Sequence, residues 1–231
     1  MSGFGARARG RPNAVAVVGM LAVALCVLTA SVAAAAALSI SPAFLMGASK
    51  TYGAPTTCTL TAVADASVNA AQATTNFGTN TQLNVSPDSL AIRRTFVRFD
   101  LTGCSPTIPP DAIVQTATVR LTTASAVLAA RTINLRSVSA AWTEAAVTWN
   151  NQPAVAASNT SSADVTLGQA AGTVLSWTAT SDIQSFVAGA ATDFGFRLSD
   201  SAEGTALGVP LVLNAREGAS GLPQVVVTYL K

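Results

Sequence analysis

The sequence predicts an all-β fold, a jelly-roll-like antiparallel β-sandwich with one short helix, preceded by an N-terminal hydrophobic signal or anchor helix. Three observations predict it: runs of alternating apolar and polar residues, turn residues between those runs, and an apolar stretch behind a basic head. Period-two alternation with many β-branched residues is typical of strands. Many short strands at this spacing indicate a sandwich or a barrel. About 170 residues suit a jelly roll better than a seven-strand immunoglobulin domain, which needs about 100.

The N-terminal segment combines a basic head with an apolar core. Arg7, Arg9 and Arg11 precede the apolar run 14–28, and small residues follow as far as Ala37. This order is typical of a secretory signal peptide, because arginines stay on the cytoplasmic side while the apolar segment enters the bilayer. The whole stretch is also long enough for an uncleaved anchor, since a membrane span needs roughly 20 residues. In both cases we expect the rest of the chain to be secreted or extracellular, with the membrane touched only through this segment.

We expect three parts in the chain: a signal peptide or membrane anchor in residues 1–37, a stalk or linker in residues 38–58, and the β-sandwich in residues 59–231. Alternation predicts strands over 95–101, 114–122, 131–138 and 225–230. In the second of these strands, strict period two puts Val114 on the face opposite Ala117, Val119 and Leu121.

One short helix is predicted at Ser181-Asp182-Ile183-Gln184. Its pattern is that of a capping box, with Ser181 as the N-cap and Gln184 at the third helical position. Ile183, Phe186 and Val187 would share one face, and Gly189 would end the helix. We expect this helix to close one end of the sandwich.

The cysteines agree with export. Cys58 and Cys104 are the two that lie outside the N-terminal segment, and an even pair in an oxidising compartment is a candidate disulfide. The alternative is two unpaired buried thiols. A bridge would tether the start of the domain to the segment after its third strand and stabilise the fold by roughly 3–4 kcal/mol.

Charge and composition exclude several classes of protein. The chain has 13 basic and 11 acidic residues; because three of the arginines belong to the N-terminal head, the remainder carries no basic excess, and we expect no nucleic-acid partner. The sequence contains no histidine, which excludes Ser-His-Asp and Cys-His catalysis and histidine zinc sites. Glycoside hydrolysis needs only two carboxylates, but no pattern selects a pair. We therefore expect a protein that is not an enzyme and has no cofactor.

One run is more specific than the rest. Residues 142–153 read W-T-E-A-A-V-T-W-N-N-Q-P, and Asn76-Phe77-Gly78, Arg98-Phe99-Asp100-Leu101 and Ala215-Arg216-Glu217 occur around them in a characteristic order. From about residue 63 to the end, the chain resembles the DNRLRE domain, also classed as carbohydrate-binding module family 96. The resemblance implies a β-jelly-roll module of extracellular bacterial and archaeal proteins. Some members bind acidic polysaccharides such as alginate.

The same run offers candidate ligand-binding residues. Tryptophan faces stack on sugar rings, and carboxylate, amide and guanidinium groups hydrogen-bond sugar hydroxyls; this gives Trp142, Glu144, Trp149, Asn150, Asn151, Arg216 and Glu217. In the alternative interpretation both tryptophans are core anchors, the asparagines form a turn, and the Arg216 side chain makes a salt bridge between strand ends. We favour this structural role, because large aromatic residues are mostly buried. A structural calcium ion held by Asp65, Asp100 and Asp182 is a further hypothesis, since calcium takes oxygen ligands.

The sequence thus predicts an extracellular, non-catalytic carbohydrate-binding or adhesive module of a bacterial cell surface, whose partner is a polysaccharide or a cell-surface glycan. One alternative is a structural cell-envelope protein without a glycan site, and a weaker one is a polysaccharide-degrading enzyme. A groove with an exposed aromatic ring flanked by polar groups would favour binding. Three buried tryptophans without such a groove would favour the structural protein, and two facing carboxyls about 5–10 Å apart would favour the enzyme.

Overall fold

The computed structural model describes residues 50–206 and 208–231. This part of the chain forms ten strands and one α-helix: β1 (Thr56–Asn69), β2 (Gln82–Val85), β3 (Arg93–Phe99), β4 (Ile113–Thr122), β5 (Arg131–Ser137), β6 (Ser161–Val165), β7 (Val174–Thr178), α1 (Thr180–Val187), β8 (Phe196–Asp200), β9 (Leu211–Asn214) and β10 (Gln224–Leu230). The predicted all-β fold with one short helix is confirmed. The predicted signal or anchor segment lies outside the described residues.

Strand β1 connects the two halves of the main sheet. Eight strands follow the order β6-β5-β8-β3-β1-β10-β4-β7, and β2 pairs with β9 in a second, two-stranded sheet. The first half of β1 pairs with β10 and the second half with β3, with a bulge between Ala62 and Ala64. The two halves of the sheet contact each other across the core. One such contact is the hydrogen bond that the Trp177 indole in β7 donates to the Ile133 carbonyl in β5 at 2.9 Å.

The core follows the alternation of the strands. In β10, Val225, Val227 and Tyr229 are fully buried, as period two predicts. In β4 the prediction for Val114 is wrong: it is buried together with Ala117 and the later apolar residues. The pairing of β4 with β10 shifts register beside it. Such a bulge adds one residue to a strand and turns the side chain before it to the other face.

A second apolar cluster covers the outer face of β1 and β3. Phe96 packs there against Trp142, with ring centroids 5.7 Å apart. The indole nitrogen of Trp142 donates a hydrogen bond to the Phe194 carbonyl at 2.7 Å, so the ring is fixed as well as buried. Strand β3, which alternation predicts over 95–101, is therefore buried on both faces over Thr95–Val97.

Helix α1 begins two residues earlier than predicted, and its predicted capping box is wrong. Ala179 is the N-cap and makes no side-chain cap, and Ser181 lies inside the first turn. The Gln184 side chain reaches β4 instead, where it accepts a hydrogen bond from the Val114 amide at 2.8 Å. The helix ends before Gly189, whose φ of 68° favours glycine.

The domain begins earlier than residue 59, inside the predicted linker. Thr56 and Thr57 already pair with β10, and the Gly53 amide donates a hydrogen bond to the Lys231 carbonyl at 3.0 Å. Cys58 forms a disulfide with Cys104, which follows β3. In residues 50–206 and 208–231, no helix has the length and apolar character required for a membrane span.

Candidate functional site

An open groove of about 470 Å³ lies between the end of β3 and α1. We call it the Arg98 groove. Its apolar wall includes Phe186, which packs on Phe196 with ring centroids 5.9 Å apart, and Val63, the bulge residue of β1, which is 46% exposed. Three charged side chains face this wall: Arg98, Asp100 and Asp193.

The two carboxyl groups of the Arg98 groove differ in their surroundings. The Asp100 carboxylate accepts hydrogen bonds from the hydroxyl and the amide of Thr102, at 2.6 and 3.0 Å, and these hold its pKa below the usual value. Burial raises the pKa of Asp193 to about 6, against the opposing hydrogen bond from the Gly195 amide and the charge of Arg98. Near neutral pH the groove therefore carries one firmly ionised carboxylate and one that titrates readily.

The Arg98 guanidinium makes a hydrogen bond within the protein through Nη1, and its other N–H groups can donate to a ligand. Its Nη1 donates to the Trp142 carbonyl at 3.4 Å, and its carbon lies 5.7 Å from the centroid of the Trp142 ring. A guanidinium has five N–H donors. Within residues 50–206 and 208–231, the carbonyl is the one hydrogen-bond partner of this side chain, so most of the donors remain for a ligand.

A second group of charged residues, the Asp65 cluster, consists of Asp65, Glu144, Arg216 and Glu217. The Asp65 carboxylate accepts a hydrogen bond from the Arg216 amide at 2.8 Å, and the Asp65 amide donates to Glu144 at 2.7 Å. The Arg216 guanidinium bonds Glu144 at 2.7 Å and Glu217 at 3.1 Å. Asp65 is 1% exposed. Burial raises its pKa to about 7, and the charges of Glu217 and Glu144 add to this effect.

Three segments of the sequence meet at this cluster. The Asn76 side chain donates to the Glu144 and Val147 carbonyls, both at 2.7 Å. Gly78 lies against the Glu144 backbone so closely that a Cβ atom there would collide with the carbonyl. The Asn76-Phe77-Gly78, Trp142-Thr143-Glu144 and Ala215-Arg216-Glu217 motifs are therefore parts of one contact region.

The remaining predicted ligand residues lie close by in sequence but have different surroundings. Trp142 is 7% exposed. Trp149 is half-buried beneath the Arg94 guanidinium, which lies 4.6 Å from the centroid of the Trp149 ring. The same guanidinium forms a bidentate ion pair with Glu203.

The two asparagines lie in the turn after Trp149. The Asn151 side chain accepts from the Thr148 amide at 2.6 Å and donates to the Ala146 carbonyl at 2.9 Å, which closes the turn. The Asn150 side chain is exposed, and the Asn150 backbone amide donates a hydrogen bond to the Ala73 carbonyl. A smaller depression of about 290 Å³ lies beside Trp142 and Asn151.

The structure does not bring together the three aspartates predicted as calcium ligands. Asp65 lies in its cluster, Asp100 in the Arg98 groove, and Asp182 in the first turn of α1. The groove itself was missed as a site. Arg98 and Asp100 were recognisable as motif residues, but Phe186 was predicted only as part of the apolar face of a helix that closes one end of the sandwich. Asp193 belongs to a loop without a local pattern, so only the folded chain brings it to the groove.

The fold is a two-sheet β-sandwich with one short α-helix. The family model of carbohydrate-binding module family 96 matches residues 56–229. This range contains all ten strands, except for the last residue of β10. The chain belongs to carbohydrate-binding module family 96. A search of curated proteins found no match to this chain.

Proposed function

We propose that this protein is an extracellular, non-catalytic module that binds a polysaccharide in the Arg98 groove. Membership of carbohydrate-binding module family 96 carries the proposal, since modules of such families are generally non-catalytic. The basic head before the apolar N-terminal stretch and the disulfide between Cys58 and Cys104 support a location outside the cell.

The chemistry of the groove suits a sugar. Phe186 and Val63 offer apolar surface to the C–H face of a pyranose ring, while Arg98 and Asp100 offer hydrogen bonds to its hydroxyls. The volume of about 470 Å³ lies within the usual range for ligand pockets, about 300–1,000 Å³. The groove is open, as a polymer that continues in both directions requires.

The charges of the groove favour a neutral polysaccharide over a polyuronate. One guanidinium faces two carboxyl groups, Asp100 and Asp193. A uronate carboxylate would pair with Arg98 but would meet the ionised Asp100 close by, and like charges at short range cost free energy. Sugar hydroxyls donate to carboxylates and accept from the guanidinium, so a neutral chain uses both kinds of group.

The Arg98 groove is a better candidate than the tryptophan run. Trp142 presents little surface, and the hydrogen-bonding groups of Asn151 are used within its own turn. Glu144 and Arg216 bond each other. In the groove, a partly exposed ring, Phe186, is flanked by charged groups with unused capacity, which also supports binding over a purely structural envelope protein.

The test is retention on immobilised polysaccharides, with neutral glucans, xylans and mannans compared with polyuronates. We expect the wild type to bind a neutral polymer, and Arg98→Ala and Asp100→Ala each to weaken binding about tenfold, the worth of one good hydrogen bond to a charged group. The matched controls are Arg136→Ala, which removes a guanidinium bonded to Asn159, and Asp164→Ala, which removes an exposed carboxylate bonded to a threonine hydroxyl as Asp100 is. Equal loss in variants and controls would contradict the proposed site.

Hydrolysis is a second candidate function, and one observation favours it. Asp100 and Asp193 line the same groove, and their pKa values move in opposite directions, the arrangement that glycosidases use for an acid and a nucleophile or base. Release of reducing ends from a retained polymer by the wild type, abolished in Asp193→Asn, would support an enzyme. Retention without release supports the binding module.

A further inference from the structure

The Asp65 cluster leaves two buried carboxylate oxygens without a partner. Asp65 Oδ1 and Glu217 Oε2 are inaccessible to solvent and accept no hydrogen bond from any described residue. Burying an anionic oxygen without a partner is costly, and such atoms in folded proteins usually have one. The three carboxylates of the cluster face a single guanidinium, that of Arg216, so the cluster carries a net charge of −2 when all three are ionised.

The geometry of the cluster suits a cation. One carboxylate oxygen from each of Asp65, Glu144 and Glu217 lies within 4.8 Å of the other two. Two oxygens on opposite sides of a calcium ion are separated by about twice the roughly 2.3–2.6 Å calcium–oxygen distance, so an ion can lie among these three. The Arg216 guanidinium contacts Glu144 Oε2 and Glu217 Oε1 but donates to neither unpartnered oxygen, Asp65 Oδ1 or Glu217 Oε2.

We propose that Asp65, Glu144 and Glu217 bind a divalent cation, and that calcium is the ion they select. All three ligands are oxygens, and hard oxygen ligands suit calcium and magnesium better than zinc or copper. Magnesium requires near-ideal octahedral geometry, whereas calcium accepts the irregular arrangement of ligands from three separate segments. The ion would join β1, the turn after β5 and the turn after β9, which are far apart in sequence.

A proton is the competitor of the metal. A shared proton between Asp65 and Glu217 would also remove one negative charge and satisfy both oxygens, and the raised pKa of Asp65 allows this near neutral pH. The two explanations differ in one measurable respect, because only a cation site responds to calcium at constant pH. The experiment is therefore carried out at pH 8, where protons compete least.

The test uses the purified full chain without any glycan. After removal of metal with EDTA and dialysis, CaCl₂ is titrated by calorimetry, and thermal unfolding is measured in parallel with CaCl₂ and MgCl₂. We expect one calcium ion per chain, a Tm that rises with calcium concentration as a ligand of the native state requires, and a smaller rise with magnesium. Glu217→Gln keeps the size of the side chain and removes a ligand charge, and should weaken calcium binding by about tenfold or more.

Glu203→Gln is the matched control. Glu203 is about as exposed as Glu217 and pairs with an arginine, Arg94, but it lies outside the cluster; its variant should bind calcium as the wild type does. No saturable binding by the wild type, or equal weakening in both variants, would overturn the proposal. If Glu217→Gln fails to fold, the wild type still decides, since displacement of Tb³⁺ luminescence by calcium at one ion per chain supports the site and its absence refutes it.

Discussion

Individual residues in the W-T-E-x-x-V-T-W run make contacts that stabilise the fold. Trp142 packs on Phe96 and hydrogen-bonds Phe194 through its indole nitrogen. Glu144 bonds the Asp65 amide and Arg216. The sequence indicated such structural roles from residue type alone, but it could not show which partners each residue has. These partners are far apart in the chain, and Asp65 and Glu144 are separated by 79 positions.

The two tryptophans of this run should differ in their effect on stability. Trp142 is buried and Trp149 is half-buried under Arg94. Trp142→Ala should lower the free energy of unfolding by about 3–5 kcal/mol, as for other large core truncations, and Trp149→Ala by a smaller amount, since part of its ring already contacts solvent. Urea denaturation of both variants measures this. Equal losses would show that the Arg94–Trp149 contact stabilises the fold as much as the core does.

Asp193 should make the stability of the protein depend on pH. Its pKa in the folded state is about 6, above the unfolded value of 3.8, so the native state holds the proton more tightly. The associated stability is fully present below about pH 4 and is lost as the pH rises through 6. Asp193→Asn mimics the neutral carboxyl and should gain on the order of 1 kcal/mol over the wild type at pH 7 and little at pH 4.

Denaturant unfolding at both pH values checks this expectation, with Asp164→Asn, an exposed carboxylate on β6, as the control. A gain of the same size at pH 4 and pH 7 would mean that the ionisation of Asp193 is not the cause.

At the scale of the elements, alternation predicted β3, β4, β5 and β10, each of at least seven residues, and did not predict the strands of four or five residues. Strands β4, β5 and β10 were predicted because each has one buried face. Strand β6 was missed, because it has only five residues and only one of them, Val165, is buried. A bulge such as the one in β4 leaves no local signal, because it depends on pairing with β10. The N-cap of α1 was misplaced because Gln184 bonds β4 instead of its own helix.

The disulfide joins β1 to the segment that follows β3, and its removal should test how much the fold depends on this connection. The two cysteines are 46 residues apart, and a loop of that size corresponds to about 4 kcal/mol by the chain-entropy model. Cys58→Ala combined with Cys104→Ala should lower the free energy of unfolding by about that amount. The reduced wild type is the control in the same denaturant titration. A loss below about 1 kcal/mol in both would show that sheet pairing alone holds β1 in place.

For the whole molecule, the family and the fold could be predicted from the sequence, and the site could not. The motifs that identify the family lie in the Asp65 cluster, in the second apolar cluster and, with Arg98 and Asp100, in the Arg98 groove. The Arg98 groove is formed by β3, α1 and the loop before β8, which only the folded chain brings together. The motifs therefore indicate the family and the fold, whereas the complete groove becomes visible only in the structure.

The domain should fold without the N-terminal segment. Residues 50–231 form a separate compact unit, and its two ends meet, since Gly53 bonds Lys231 and β1 pairs with β10. Adjacent termini in paired strands are typical of a domain that can fold alone. A fragment of residues 50–231 should unfold in a single calorimetric transition and retain the same polysaccharide as the full chain, since all residues of the Arg98 groove lie within it. A fragment that folds but no longer binds would place part of the glycan site in residues 1–49.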